Sequence, residues 1–510
     1  MEEELICRGF DSVEVLFVDV FEKSRLSVGG DGERMLQTPQ TGSLMLSSLL
    51  TTRRTISSMA ALQQPSRHRF PPPNNIQRLP LRPDGQQEPI KLTEAIKQQF
   101  KQSIPLLAAR VPSPSITKFK TNPEIRKALL NSKNLRSVEP DPDSTDNAFK
   151  LLLLNTPHKD QIPESTLKVF QEHDIQIKNT KLDLDWEYWM ADEIIERLLP
   201  DQLTDIPASF TMIGHIAHFN LRDEYLPYKY LIGQVILEKN LAIKTVVNKI
   251  DNINSQFRFF EMELLAGEPD YTVTLWQSGC RYRFDFSKVY YNPRLSTEHD
   301  LLSSMIEKDE VVVDAFAGVG PFAMRAAANR KAWVLASDLN PASVEALETN
   351  VRLNKLQGRV AVSGGDGREK IREAVRTLWL DKPFKTPNSS PLLPDHFIIN
   401  LPDSSIQFLD AFRDLYHPLS DSEGFLNAVK KKSRLPLLHC YCFTKQVDEP
   451  ESDICQRVSE VMKVEISPST VARFELKFVR AVAPHKDMYR ITFELPLKLL
   501  FSSSSEESRA

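Results

Sequence analysis

Four residues along one stretch could cradle an adenosine-type ligand: Asp314, Gly318, Gly320 and Asp338. The turn holding the first three reads D-x-F-x-G-x-G-P, from Asp314 to Pro321. Its glycines let the backbone approach a ligand closely, and Asp338, some two dozen positions after Asp314, offers a carboxylate to ribose hydroxyls. A nicotinamide dinucleotide would want G-x-G-x-x-G, which seats a pyrophosphate on a helix N-terminus. The third glycine is missing, and S-adenosylmethionine, which carries no phosphate, fits better. The plainer alternative is a turn whose glycines serve chain reversal alone. Four residues in register count against it.

A second set of candidates lies just upstream. Arg258, Arg281, Arg283, Lys288 and Arg294 stand among aromatic residues in residues 203–300, a mixture that suits phosphate contact with base stacking. Ordinary strand faces with solvated charges remain the other reading, because acids balance the bases there. The five cysteines are too few and too scattered for a disulfide framework or a C-x-x-C metal site, so no metal is expected and a reducing compartment is.

The elements that must position these groups follow from apolar patterning. Val311 to Val313 reads as a buried parallel strand, and the turn after it opens an alanine-rich helix. Trp333 to Ser337 is a second strand, with a helix from Asn340-Pro341 to about Asn354. Val360 to Ser363 is a third, ending in Gly364-Gly365-Asp366-Gly367. His396 to Ile399 is a fourth, ending in Asn400-Leu401-Pro402. Ser404 to Tyr416 then reads as an amphipathic helix, Leu437 to Phe443 as a fifth strand and Ser452 to Val464 as its helix. Two further strands across a turn containing Pro484 make an antiparallel edge. The fold class is therefore α/β: a Rossmann-like sheet at 301–500 with an antiparallel C-terminal edge, preceded by smaller α+β domains. A small domain at 94–200 carries helical periodicity in TEAIKQQFKQSI and NPEIRKALLN, a strand at Phe149 to Leu154 and a helix in DWEYWMADEIIERLLP. An antiparallel sheet is expected at 203–300.

The 510 residues have room for two or three domains, and 41% hydrophobic residues suffice for real cores. No apolar run reaches transmembrane length, so no membrane is implied. The net charge of −4 excludes wholesale polyanion binding, which leaves any nucleic-acid contact to local basic patches. Residues 1–93 read as disordered apart from a stretch at 45–58 rich in serine, threonine and leucine, with Arg53 and Arg54. That is the composition of a mitochondrial presequence, and initiation at Met59 would yield a chain without it. A merely disordered N-terminus is the alternative. The tail, 501–510, reads as disordered too.

Several blocks together resemble the archaeal and eukaryotic tRNA (guanine-37-N1)-methyltransferase family: FRFFEMELLAGEPD, KVYYNPRLSTEH, VVVDAFAGVGPFA, SDLNPASVEALETNVRLN, GDGRE and INLPDSSIQFLDAF. They span roughly residues 200–500, and an insertion between Arg372 and Pro394 departs from the compact archaeal pattern. The resemblance implies a class I methyltransferase sheet and transfer of a methyl group from S-adenosylmethionine to N1 of guanosine 37 of tRNA. It also implies a monomer; with the presequence-like stretch, the expected substrates are cytoplasmic and mitochondrial tRNAs, and the expected pools include the nucleus. Neutral guanine carries a proton on N1, so the reaction needs a base there and a donor at O6. By block matching Glu298 falls at the family's base, Arg258 at its catalytic arginine, and Asn400 at the residue contacting guanine and cofactor. A glutamate in that role would need partial burial to raise its affinity for protons. The other readings are a first-turn helix acid, a surface strand charge and a cap on the following helix, respectively.

For the cofactor the resemblance assigns Asp338 to the ribose, Leu339 to the adenine, Asp366 and Gly367 to the adenine amine and His299 to the methionine part, beside Asp314, Gly318 and Gly320. Tyr290, Pro293 and Pro402 match positions shaping the target-base pocket, and Lys430, Lys431, Lys432 and Arg434 form a basic run able to meet tRNA phosphates or water. The guanine must be unstacked before transfer. NLPDSS holds no cysteine nucleophile, so covalent catalysis is disfavoured. A related enzyme that moves the aminocarboxypropyl group of the same cofactor during wybutosine formation is the nearest rival.

Overall fold

Leu106 to Ala109 is a run of four buried apolar residues, and their alternation decides how the N-terminal part is layered. They sit in β1 (Gln102–Pro112), the centre of a sheet with β2 (Val138–Pro140), β3 (Phe149–Leu153) and β4 (Gln176–Leu184), ordered β2-β3-β1-β4. Leu107 and Ala109 face a core shared with α2 (Ile116–Thr121), α3 (Pro123–Arg126) and α4 (Glu164–Glu172), all following the short α1 (Glu94–Gln98). Leu106 and Ala108 face the other way, onto α5 (Ala191–Leu198) and Trp186 and Trp189. Side chains of successive strand residues point to opposite faces, so one strand serves two cores. The computed structural model describes residues 70–82, 89–132, 134–207, 209–253, 260–386 and 390–501. The described residues belong to one unit, 68–510.

Two expected helices are corrected here. The one expected across residues 93–104 stops after Gln98, and Gln102 already pairs with Leu184. Pro105 has no N–H to give a helix, and Trp189 Nε1 donates to the Phe100 carbonyl at 2.8 Å, which fixes the chain as it turns into the sheet. The helix expected across residues 122–131 is four residues long. It ends early because the Leu130 N–H donates to the Leu153 carbonyl at 2.9 Å, at the sheet's edge.

A second sheet, ordered β5-β6-β7-β8, comprises β5 (Thr211–Ile213), β6 (Ile216–Phe219), β7 (Thr245–Ile253) and β8 (Phe260–Gly267). β6 and β7 are parallel and joined through α6 (Lys229–Lys239), the other pairs antiparallel. A hairpin of β9 (Thr272–Gln277) and β10 (Cys280–Asp285) follows, then α7 (Ser296–Met305).

The C-terminal sheet has seven strands: β11 (Val311–Asp314), β12 (Trp333–Asp338), β13 (Val360–Gly364), β14 (His396–Ile399), β15 (Leu437–Thr444), β16 (Glu475–Ala483) and β17 (Lys486–Glu494). Their order is β13-β12-β11-β14-β15-β17-β16. The first five run parallel, β17 is antiparallel to β15, and β16 to β17. Counted from its own first strand the order is 3-2-1-4-5-7-6, the class I methyltransferase arrangement expected from the resemblance. β11 and β14 are buried at every residue, as parallel strands covered on both faces must be. The cover is α8 (Pro321–Arg330), α9 (Pro341–Leu353), α10 (Gly367–Arg376), α11 (Glu423–Lys431) and α12 (Pro450–Met462).

The stretch read as one helix, 404–416, is instead 3-10 helix at Ser405–Phe412, with a further turn at His417–Leu419. Ile406, Leu409 and Phe412 are among its buried apolar residues, and a repeat of three aligns them directly above one another in the tighter helix. In the insertion, a π-helical turn at Thr377–Asp381 continues α10, and Phe384 then packs its ring 5.3 Å from Trp333. Residues 387–389 lie outside the described residues.

Candidate active site

The site forms at the carboxyl ends of the parallel strands. Asp314 closes β11, and the turn after it is drawn towards β12 by Ala317 N–H donating to the Ser337 carbonyl at 2.8 Å. Asp338 completes the join: its Oδ2 accepts from the Gly318 N–H at 2.8 Å and its Oδ1 from the Asn340 N–H at 2.9 Å. The acid expected to meet ribose therefore also ties the two loops together, with lone pairs left for a ligand. Burial raises its pKa while those two amides oppose the rise. Asp314 is fully buried, and neither carboxylate oxygen has a hydrogen-bond partner of good geometry. Burial, and then the neighbouring Asp338 charge, push it up to about 7; the Phe316 and Ala323 amides offset this only in part.

The two glycines differ. Gly318 has φ +55° and a Cβ built there would meet nothing within 4 Å, so the loop presents an open face. Gly320, at φ +94°, caps α8 where a Cβ would lie 2.6 Å from Leu347 Cδ1. One glycine leaves room for a ligand; the other lets α8 pack on α9. Leu339 is 43% exposed beside them, unusual for a leucine at a strand end. The β13 turn reaches the same place through Gly365 N–H donating to the Asp338 carbonyl at 3.1 Å. Asp366 Oδ1 caps α10, accepting from the Arg368 N–H at 2.9 Å, and Gly367 lies flat against the Phe316 ring.

Glu298 and His299, in the first turn of α7, are both buried. Glu298 Oε1 accepts from Arg490 Nη1 at 2.7 Å and from Tyr441 Oη at 3.1 Å, while Lys477 Nζ lies 3.8 Å from Oε2. Glu298 is thus a first-turn helix acid by position, but its carboxylate bonds to β15 and β17. The His299 ring meets Phe322 edge-on at 4.5 Å, and Phe322 lies 5.5 Å from Tyr441, so the head of α8 fills the gap between glycine loop and Glu298. Burial, and then Arg325, lower the His299 pKa to about 3; the ring is neutral and its Nδ1 has no partner. Ile399 pairs with Cys440, which sets Tyr441 level with Asn400 at the mouth of β14. Asn400 is not a helix cap, since its Oδ1 is buried without a partner, and Ser405 Oγ takes the Leu401 N–H instead.

Tyr290 is 45% exposed, in a loop fastened by Asn340 Nδ2 donating to the Lys288 carbonyl at 2.8 Å. That contact brings Tyr290 and Pro293 towards the start of α9. Pro402 is half-buried, with its carbonyl accepting from the Phe443 N–H at 3.1 Å. Arg258 lies outside the described residues. Cys440 and Cys442 are buried in β15, and burial pushes the Cys442 thiol up to about 12, so neither is a ready nucleophile.

The basic run sits elsewhere. Lys432 pairs with Asp395, and Arg434 with Glu310 and the Asp395 carbonyl, at the amino ends of β11 and β14. Only Lys430, Lys431 and Ser433 of that stretch are exposed, at the end of the sheet opposite the site. What sequence reasoning missed is Tyr441, Lys477 and Arg490. The available signal was an arginine between Met488 and Thr492 on the inward face of β17, all three buried.

Curated proteins extend the comparison. The chain is 42% identical over 447 residues to the tRNA (guanine(37)-N(1))-methyltransferase of Coprinopsis cinerea, covering 80% of this chain and 95% of that one. It is 40% identical over 434 residues to the Schizosaccharomyces pombe enzyme of the same name, covering 80% and 94%. The chain belongs to the tRNA (guanine(37)-N(1))-methyltransferase family. A Drosophila melanogaster member is 37% identical over 411 residues, covering 80% and 86%. The TRM5/TYW2 methyltransferase domain matches residues 274–380, and the TYW2 N-terminal domain matches 191–270. Among solved structures the fold is similar to Trm5b from Pyrococcus abyssi, at TM-score 0.52 and 24% identity, covering 76% of this chain and 98% of that one. It is also similar to aTrm5 in its complex with tRNALeu, at TM-score 0.54 and 21% identity, covering 76% and 100%.

Proposed function

We propose that this protein transfers a methyl group from S-adenosylmethionine to N1 of guanosine 37 in tRNA, with Glu298 as the base. The observation that carries the site assignment is a buried carboxylate ordered by two donors on one oxygen, one of them Tyr441, which follows the register partner of Ile399 and so stands level with Asn400. The cofactor fits the polar lining: His299 Nδ1 and Asn400 Oδ1 are buried polar atoms without a partner among the described residues, Asp314 has none of good geometry, and S-adenosylmethionine carries an ammonium, an amine and hydroxyls. When bound, it supplies an electrophilic methyl on a sulfonium.

Glu298 accepts the N1 proton, the N–H electron pair stays on N1, and that pair forms the new N–CH3 bond. Asn400 orients the base by donating and accepting. Arg258 is assigned to the charge developing on O6 from sequence alone. Asp338 takes the ribose, Leu339 packs the adenine, Asp366 and Gly367 flank its amine, and Tyr290, Pro293 and Pro402 bound the guanine pocket. Residues 94–200 are assigned to tRNA recognition and the anticodon stem-loop to the site, with the protein acting as a monomer. Residues 45–58 are assigned to mitochondrial targeting and Met59 to a cytoplasmic form; fluorescent fusions starting at Met1 and Met59 would separate the two pools.

The deciding experiment incubates the purified chain with labelled methyl donor and a transcript bearing guanosine 37. Nucleoside analysis should return 1-methylguanosine, and absence of a new methyl on that purine would refute the proposal. The match of 191–270 to the TYW2 N-terminal domain keeps aminocarboxypropyl transfer as a second reading. Methylthioadenosine as by-product would select it, S-adenosylhomocysteine the first.

A further inference from the structure

We propose that Arg490 and Tyr441 are positioning residues that grip one oxygen of Glu298, leaving Oε2 as the oxygen that receives the guanine proton. The inference rests on Glu298 being the base. Tyr441 on β15 and Arg490 on β17 are register partners in the antiparallel pair. From there they deliver both donors to Oε1, at 3.1 Å and 2.7 Å. Two donors converging on one oxygen fix both the rotation of the carboxylate and the direction of its second oxygen. Among the described residues Oε2 is given one partner, the Lys477 ammonium, an ion-pair neighbour at 3.8 Å and beyond hydrogen-bond distance.

Arg490 is itself held. Its Nη2 donates to Glu475 Oε2 at 2.7 Å, and its side chain is 1% exposed. The guanidinium charge is thereby shared between two carboxylates. A guanidinium held by Glu475 in this way is fixed in place, and so is the carboxylate oxygen it grips. The other titratable groups near Glu298 among the described residues face elsewhere or carry no charge. His299 on its own helix is neutral. Arg325 on α8 is turned to the Ser296 carbonyl at 3.0 Å and to Asp300 at 3.4 Å. Glu475 and Lys477 both come from β16. A purely structural ion pair would not need the tyrosine on the same oxygen.

The test is single-turnover methylation of the guanosine-37 transcript by full-length Tyr441→Phe, Arg490→Lys and Glu298→Gln, from pH 5.5 to 9, with methyl-donor affinity measured by titration. Tyr441→Phe should lower the rate at neutral pH about tenfold, the worth of one hydrogen bond to a charged group. It should also move the acid limb of the profile to higher pH by about one unit, because the ionised carboxylate loses a donor. Arg490→Lys should do both more strongly, with donor affinity unchanged within about twofold. Should Arg490→Lys fail to fold, Tyr441→Phe, which removes one oxygen from a packed ring, carries the test alone. An acid limb that stays in place in the folded variants overturns the positioning proposal while Glu298→Gln remains inactive. Wild-type turnover by Glu298→Gln overturns the base assignment, and this inference with it.

Discussion

At the scale of single residues, Asp314 makes the most direct pH prediction. Its folded pKa of about 7 lies above the ordinary 3.8. The stability this contributes is complete below that ordinary value and is lost as pH rises through about 7. Asp314→Asn should therefore melt higher than wild type at pH 8 without ligand, by an amount on the order of a few kcal/mol, and approach it at pH 4. Calorimetry at pH 4, 6 and 8 checks this; a difference that is flat with pH contradicts it. Asp338→Ala should weaken donor binding, and because two backbone amides lose their acceptor it should also cost about 1–3 kcal/mol in urea unfolding. That Asp314, the glycine turn and Asp338 lie together was legible, because they fall within one strand-turn-helix-strand unit. Arg490 was not, since it stands 192 residues from Glu298 and only the register of β15 and β17 brings the two together.

At the scale of elements, the two loop glycines separate ligand binding from folding. Gly318→Ala meets open space and bears only the left-handed backbone penalty, about 1–2 kcal/mol, so its main loss should appear in donor affinity. Gly320→Ala adds a clash with Leu347 and Met324, and overpacking of that kind costs about 1–3 kcal/mol more. It should unfold at clearly lower urea than Gly318→Ala; equal midpoints would show that α8 does not depend on the close approach. The parallel strands were readable because burial on both faces leaves uninterrupted apolar runs. The stretch after Asn400 was not, because a repeat of three is easily taken for the 3.6 of an α-helix. Nor was the boundary near Phe100, where helical periodicity continues in the sequence past the point at which Trp189 captures the chain.

At the scale of the whole molecule, the seven-stranded sheet has one end for chemistry and one for cohesion. At the amino end, His396 Nδ1 lies 2.9 Å from His439 Nε2, His396 Nε2 lies 2.8 Å from Glu310, and His439 Nδ1 lies 3.0 Å from Thr492. Together with Arg434 these groups tie β11, β14, β15 and β17 to one another. Burial works to raise the Glu310 pKa, but His396, the Glu307 N–H and Arg434 bring it down to about 2. Its stabilising contribution is present above its ordinary 4.5 and lost as pH falls towards 2. Burial and then the charges around His439 hold that ring neutral, so it too withdraws stability as pH drops below its ordinary 6.5. Glu310→Gln should cost about 3 kcal/mol at pH 7, with the deficit against wild type shrinking by roughly half at pH 3. A deficit constant across that range in urea titrations would remove Glu310 from the acid response. The basic run looked like an RNA contact because a linear sequence does not reveal that Lys432 and Arg434 turn inward.

The hairpin of β9 and β10 has only two strands, yet its outer edge is not bare. Arg281 N–H donates to Asn354 Oδ1 at 2.8 Å and Arg283 N–H to Asn350 Oδ1 at 2.7 Å, so amides from helix side chains stand in for a third strand. A foreign extended segment finds no row of free donors there to template on, and the protein is spared one route to edge-to-edge self-association.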